Sequence, residues 1–211
     1  MMRHRLLLSF SIGAVAVATL LADKPVFLST WKTPDAYGSR FVGKKVAAVV
    51  ISDDDGLRVS GEEALVNELN ARGIQGVASY RIAPKEELRD AARAKPWFER
   101  QQIEGVVALR PIANDVIKTY TPAQWTSTYY QSYWGYYNYG WGAAFMPASS
   151  SRTHVVVVES LVFNVPKDAL LWGAVTQTQD PKNLQTFIAD LVKQTVKVMQ
   201  EQGLAGGQPK K

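Results

Sequence analysis

The sequence predicts an α/β fold built on a mixed sheet, and three observations carry that prediction. Residues 44–110 alternate apolar β-type runs with amphipathic stretches, giving the order β-α-β-α-β typical of parallel crossover units. Two more β runs flank Pro166-Lys167-Asp168, and apolar residues at helical spacing follow. An apolar share of 46% with 20% charged residues over 211 positions suits a single packed core and excludes a disordered or multi-span membrane chain.

Val26 to Lys32 is apolar and β-branched and is ended by Thr33-Pro34-Asp35, which suits an edge strand. Lys44 to Ser52 is a near-continuous apolar run of the kind found in strands covered on both faces. Ser60-Gly61-Glu62-Glu63 spells a capping box, so a helix is expected from there to Gly73. Val77 to Ile82 reads as a second strand, and Pro84-Lys85-Glu86-Glu87 as the first turn of a helix that Pro96 stops or kinks. Ile103 to Arg110 is the third β run.

From Thr119 to Ser151 no residue is charged, yet eleven of the chain's twenty-two aromatics fall there. Gly135, Gly140 and Gly142 interrupt the stretch, so a long hairpin or ordered loop is expected in place of a helix. His154–Val165 and Ala169–Thr178 form a β-hairpin pattern. After Asp180-Pro181, Leu184, Phe187, Ile188, Leu191, Val192 and Met199 mark a final amphipathic helix.

The first 22 residues read as a targeting segment, with Arg3 and Arg5 ahead of an uncharged run from Leu6 to Ala22. That run sits at the short limit for crossing a bilayer, so a cleaved signal peptide and a retained anchor both fit. The expected organisation is leader 1–22, one α/β domain over 26–203 and a flexible tail over 204–211. Such a protein is exported, to the periplasm or to a membrane tether facing it.

The chain has no cysteine, which excludes disulfides and thiolate zinc sites. Its net charge is +5, but two of those charges belong to the leader and two to Lys210 and Lys211. The nearly neutral domain that remains has little grip on phosphates, which argues against nucleic acid.

Candidate chemistry is sparse, and no cofactor is expected. Gly38 to Lys45 nearly matches a phosphate-binding loop, but Lys45 stands where Ser or Thr is needed and a strand follows where a helix should. Asp53-Asp54-Asp55 follows a buried strand where α/β sheets place ligands, yet adjacent carboxylates diverge and read as an acidic surface loop more than a metal site. His154 is the one imidazole outside the leader, and its place at a strand start is structural in character. A glycosidase pair would have to be drawn from Asp53, Asp55, Glu104, Asp115 and Glu159.

The aromatic stretch is the one unusual feature. Tyr133, Trp134, Tyr136, Tyr137, Tyr139 and Trp141 are the candidate binding residues, since Tyr and Trp join a stacking face to a polar tip. Three uses compete: core filling, a contact surface for an envelope protein or a glycan such as peptidoglycan, and a membrane interface.

Several short motifs taken together resemble a family of uncharacterised bacterial envelope proteins, many of them lipoproteins. They are Ser29-Thr30-Trp31-Lys32 with Pro34-Asp35, Val49 to Asp53, Tyr80 to Pro84, Gly105-Val106-Val107, Trp134 to Tyr137 with Gly140-Trp141-Gly142, Val158-Glu159-Ser160, Leu170-Leu171-Trp172, and Thr176 to Pro181. The resemblance implies an exported α/β domain similar to the amino-terminal domain of TolB, with no established activity and no catalytic residues to carry over. Asp23 stands where the lipoprotein members carry cysteine. The resulting expectation is a non-enzymatic module that binds an envelope component through residues 120–145. Glycan binding is the alternative, and a carboxylate-dependent hydrolase a second one.

Overall fold

The computed structural model describes residues 24–34, 36, 41–114, 128–144, 155–179, 181 and 183–205. The leader, Asp115, Tyr120, Trp125, Phe145, His154, Asp180 and residues 206–211 lie outside them. Six strands form one sheet: β1 (Val26–Lys32), β2 (Lys45–Val50), β3 (Gln75–Ala78), β4 (Gly105–Asn114), β5 (Val155–Asn164) and β6 (Ala169–Gln179). The helices are α1 (Asp55–Asn70), α2 (Ser79–Ile82), α3 (Ala91–Arg100), α4 (Thr128–Gln131), α5 (Tyr133–Ala144) and α6 (Leu184–Glu201).

The strand order is β1-β6-β5-β4-β2-β3. Strand β2 runs parallel to β3 and β4, whereas β4–β5, β5–β6 and β1–β6 are antiparallel. The mixed α/β class expected from the sequence is therefore the observed one. Because successive side chains point to opposite faces, neighbours in one strand serve two cores. Val46, Ala48, Val50, Val107, Leu109, Val158 and Trp172 pack with α1 and α6. Ala47, Val49, Ile51, Val106, Ala108, Leu161 and Phe163 pack on the other face with α3 and α5.

Several local expectations are corrected. Helix α1 starts five residues before the apparent capping box, because Asp54 is its N-cap and accepts from Leu57 N at 3.0 Å. Ser60 and Glu63 sit inside the helix, and Glu62 turns inward. Strand β3 ends at Ala78, since the Glu62 carboxylate captures the Ser79 hydroxyl and the Tyr80 amide and the chain coils there. Pro84 leads only into turns and a 3-10 turn at Glu87–Arg89; α3 is capped instead by Asp90, which accepts from Arg93 N at 3.0 Å. Pro96 lies within α3 and does not stop it.

The larger correction concerns the aromatic stretch, whose described part is helical. Its rings at 130, 133, 137 and 141 recur at helical spacing, and packing against the sheet outweighs the low helix propensity of its glycines. Gly140 makes that packing close: a Cβ there would come within 2.7 Å of Ile51 Cδ1. At the other end of the chain, Gly203 adopts φ 81°, so the chain turns back after α6. Leu204 and Ala205, expected in the tail, are buried, and the Leu204 carbonyl accepts from Phe41 N.

Candidate functional site

Five of the aromatic rings are core residues. Tyr130, Tyr133, Tyr136, Tyr137 and Trp141 are at most 4% exposed. Phe98 of α3 and Phe163 of β5 stand between them, with Tyr133 5.3 Å from Phe163 and Tyr137 edge-on to Phe98 at 6.3 Å. The Tyr137 hydroxyl donates to the Leu88 carbonyl. Of the six candidate binding residues, only Trp134 and Tyr139 show surface, the first half-buried and the second 41% exposed. Lys95 lies 5.9 Å from the Trp134 ring, and the Arg110 guanidinium 4.9 Å from that of Tyr139.

Beneath these rings lies a charged pair. Arg110 of β4 and Glu159 of β5 are register partners, so their side chains emerge side by side on the α5 face. Nε and Nη2 of Arg110 reach Glu159 Oε2 at 3.1 and 2.9 Å, and Tyr130 Oη donates to Oε1 at 2.6 Å. The carboxylate is fully buried. Burial alone would lower the Arg110 pKa, but the acidic groups of Tyr136 and Glu159 beside it hold it above the ordinary arginine value. Burial, and then the Glu159 charge, push the Tyr130 hydroxyl up. The group is a tether: through the Tyr130 hydroxyl it fixes α4 over the sheet.

The carboxyl edge of the parallel strands carries the acidic triplet. Asp53 pairs with Arg89 at 2.8 Å, Asp54 caps α1, and Asp55 pairs with Lys85 at 2.6 Å. The hydrogen bond from Lys85 holds the Asp55 pKa below its ordinary value. Glu62 is fully buried and accepts from Val50 N, Ser79 Oγ and Tyr80 N. Burial raises its pKa despite these three donors. Among the described residues no three His, Cys, Asp or Glu side chains gather as metal ligands. Of the described carboxylates weighed for glycoside hydrolysis, Glu104 pairs with Lys44 at the opposite edge and Glu159 is enclosed under α4, while Asp115 lies outside the described residues.

A feature with room for a ligand lies, among the described residues, on the other face of the sheet. A cavity of about 210 Å³ opens between α1 and α6. Val50, Leu109, Pro111, Val156 and Val158 form its floor, Leu57 and Gly61 one wall, and Leu184, Phe187, Ile188 and Leu191 the other. The register places it at the carboxyl ends of β2 and β4, the edge where open α/β sheets bind ligands. Gly61 is required there, because a Cβ would meet Val50 Cγ2 at 2.9 Å. No single segment announces this site: its lining comes from residues between 50 and 191, and its one sequence signal is apolar residues continuing to the ends of their strands.

Among the described residues no helix is long and apolar enough to cross a membrane. No family model and no curated protein matches the chain. Among solved structures it is similar to the PelC dodecamer from Paraburkholderia phytofirmans, at 16% identity and a TM-score of 0.48, over 87% of this chain and 99% of that one. A single-substitution variant of the same protein overlaps at 16% identity and a TM-score of 0.46.

Proposed function

We propose that this chain is an exported cell-envelope protein that works without catalysis, by holding an apolar group of another envelope component in the cleft between α1 and α6. The observation that carries this reading is the cleft itself, whose twelve lining residues among those described carry no polar side chain. Ligand pockets are mostly apolar and concave, and this one stands at the edge of the sheet favoured for binding. The uncharged leader behind Arg3 and Arg5 supports export. The acid–base groups near the edge are held in structural pairs, which leaves little for proton transfer.

Recognition of a glycan would fall to Tyr139 and Trp134, the two candidate rings with surface. It is the weaker reading, because Trp134 already packs edge-on against Phe98 and Tyr137. The test is a titration of the full chain with an environment-sensitive apolar dye, repeated on Leu184→Asp. Leu184 is 51% exposed at the cleft, so the substitution adds charge there without opening the core. Saturable dye binding that weakens at least tenfold in the variant is expected. Binding that is equal in both proteins, or absent from both, refutes the reading.

A further inference from the structure

We infer that the occupant of the cleft is the unbranched acyl chain of a membrane lipid; this rests on the cleft being a ligand site at all. The first argument is the lining. Water occupies ~30 Å³ per molecule, so 210 Å³ would hold about seven waters, and such waters need polar partners that Val50, Leu109, Val158 and Ile188 do not offer. A methylene fills similar room, so the cleft accepts roughly seven methylenes. Among the described lining residues no side chain is polar, so they offer a tail its contacts and a head none, and the rest of the ligand stays outside.

The second argument is position. Register pairs Val26 of β1 with Gln177 of β6, and Val155 of β5 with Gln179, so the start of β1 shares an edge with the cleft. The described chain therefore enters β1 at the sheet edge that carries the cleft. Two large apolar side chains are exposed on this edge, Val26 at 43% and Leu184 at 51%. A retained leader would hold that edge against a bilayer, and a hydrocarbon tail is then the apolar group at hand.

The experiment titrates the full chain with single-chain phosphocholine lipids of four to fourteen acyl carbons, below their micelle concentrations, by calorimetry. Affinity should rise about fourfold per added methylene, equivalent to ~0.8 kcal/mol each. It should level off once roughly seven methylenes are inside. Val156→Phe, at a partly buried floor position, should shorten that plateau, with retained circular dichroism and an unchanged or raised melting temperature showing that it folds. If it does not fold, Leu184→Asp serves, with an expected loss of at least tenfold.

A compact aromatic such as naphthalene binding in the cleft while affinity ignores chain length would overturn the acyl assignment and leave the proposed function standing. No binding of lipid, naphthalene or dye would overturn both. An unchanged plateau in folded Val156→Phe, with unchanged affinity in Leu184→Asp, would place the chain elsewhere and also overturn the inference.

Discussion

Removing one member of the Arg110–Glu159 pair should cost far more than removing both. The two groups are 7% and 0% exposed at the side chain, with contacts of 2.9 and 3.1 Å. Arg110→Met leaves a buried carboxylate with Tyr130 as its remaining donor among these partners, a loss of ~3–5 kcal/mol. Glu159→Leu leaves a guanidinium whose neighbours include the Tyr136 and Tyr139 rings at 5.8 and 4.9 Å. Such ring contacts offset up to ~2 kcal/mol, so this variant should lose ~2–4 kcal/mol. The double variant removes both charges and takes from the Tyr130 hydroxyl its Glu159 acceptor, at ~1–3 kcal/mol. Coupling of ~2–8 kcal/mol should therefore appear in a double-mutant cycle from urea unfolding at neutral pH. Single losses that add to within ~0.5 kcal/mol would refute the account of the pair as mutually compensating.

Two further outcomes follow from the same geometry. Asp54→Ala should lose ~1 kcal/mol as the cap of α1, whereas Ser60→Ala should stay within ~0.5 kcal/mol; the reverse order in thermal unfolding would restore the capping box. Glu62 has a folded-state pKa raised by burial above its ordinary 4.5, so its contribution is full below that value and is lost as pH rises through the folded pKa. Glu62→Gln cannot ionise, so its unfolding free energy should lack that decline, and parallel pH–stability curves for the two proteins would contradict the assignment.

What was legible in the sequence was whatever a single segment decides by itself. The unbroken run Val46–Ile51 made β2 readable, and two β runs around Pro166-Lys167-Asp168 made the β5–β6 hairpin readable. Phe187, Ile188, Leu191 and Val192 announced α6 for the same reason. Where two local signals compete, the distant partner decides. Asp54 and Ser60 are both good caps, and the helix begins at Asp54. The glycines and β-favouring rings of α5 argued for a loop, but Ile51, Phe98 and Phe163 supply a surface on which a helix buries more. Among the described residues, the outward aromatic face expected from composition is mostly interior for that reason. The Arg110–Glu159 pairing needs the register of β4 on β5, and the cleft needs two helices and three strands together.

Because β2, β4 and β5 are lined on both sides, the sheet works as a partition between two rooms. Val49 looks into a room furnished with rings and one sealed ion pair, and Val50 into one of mostly aliphatic side chains around the cleft. The two residues are adjacent in the chain yet answer to different neighbours. Under the proposed function, variation beside the opening would retune what the cleft holds while the ring-filled room keeps its packing, so specificity and stability would be free to change on separate schedules.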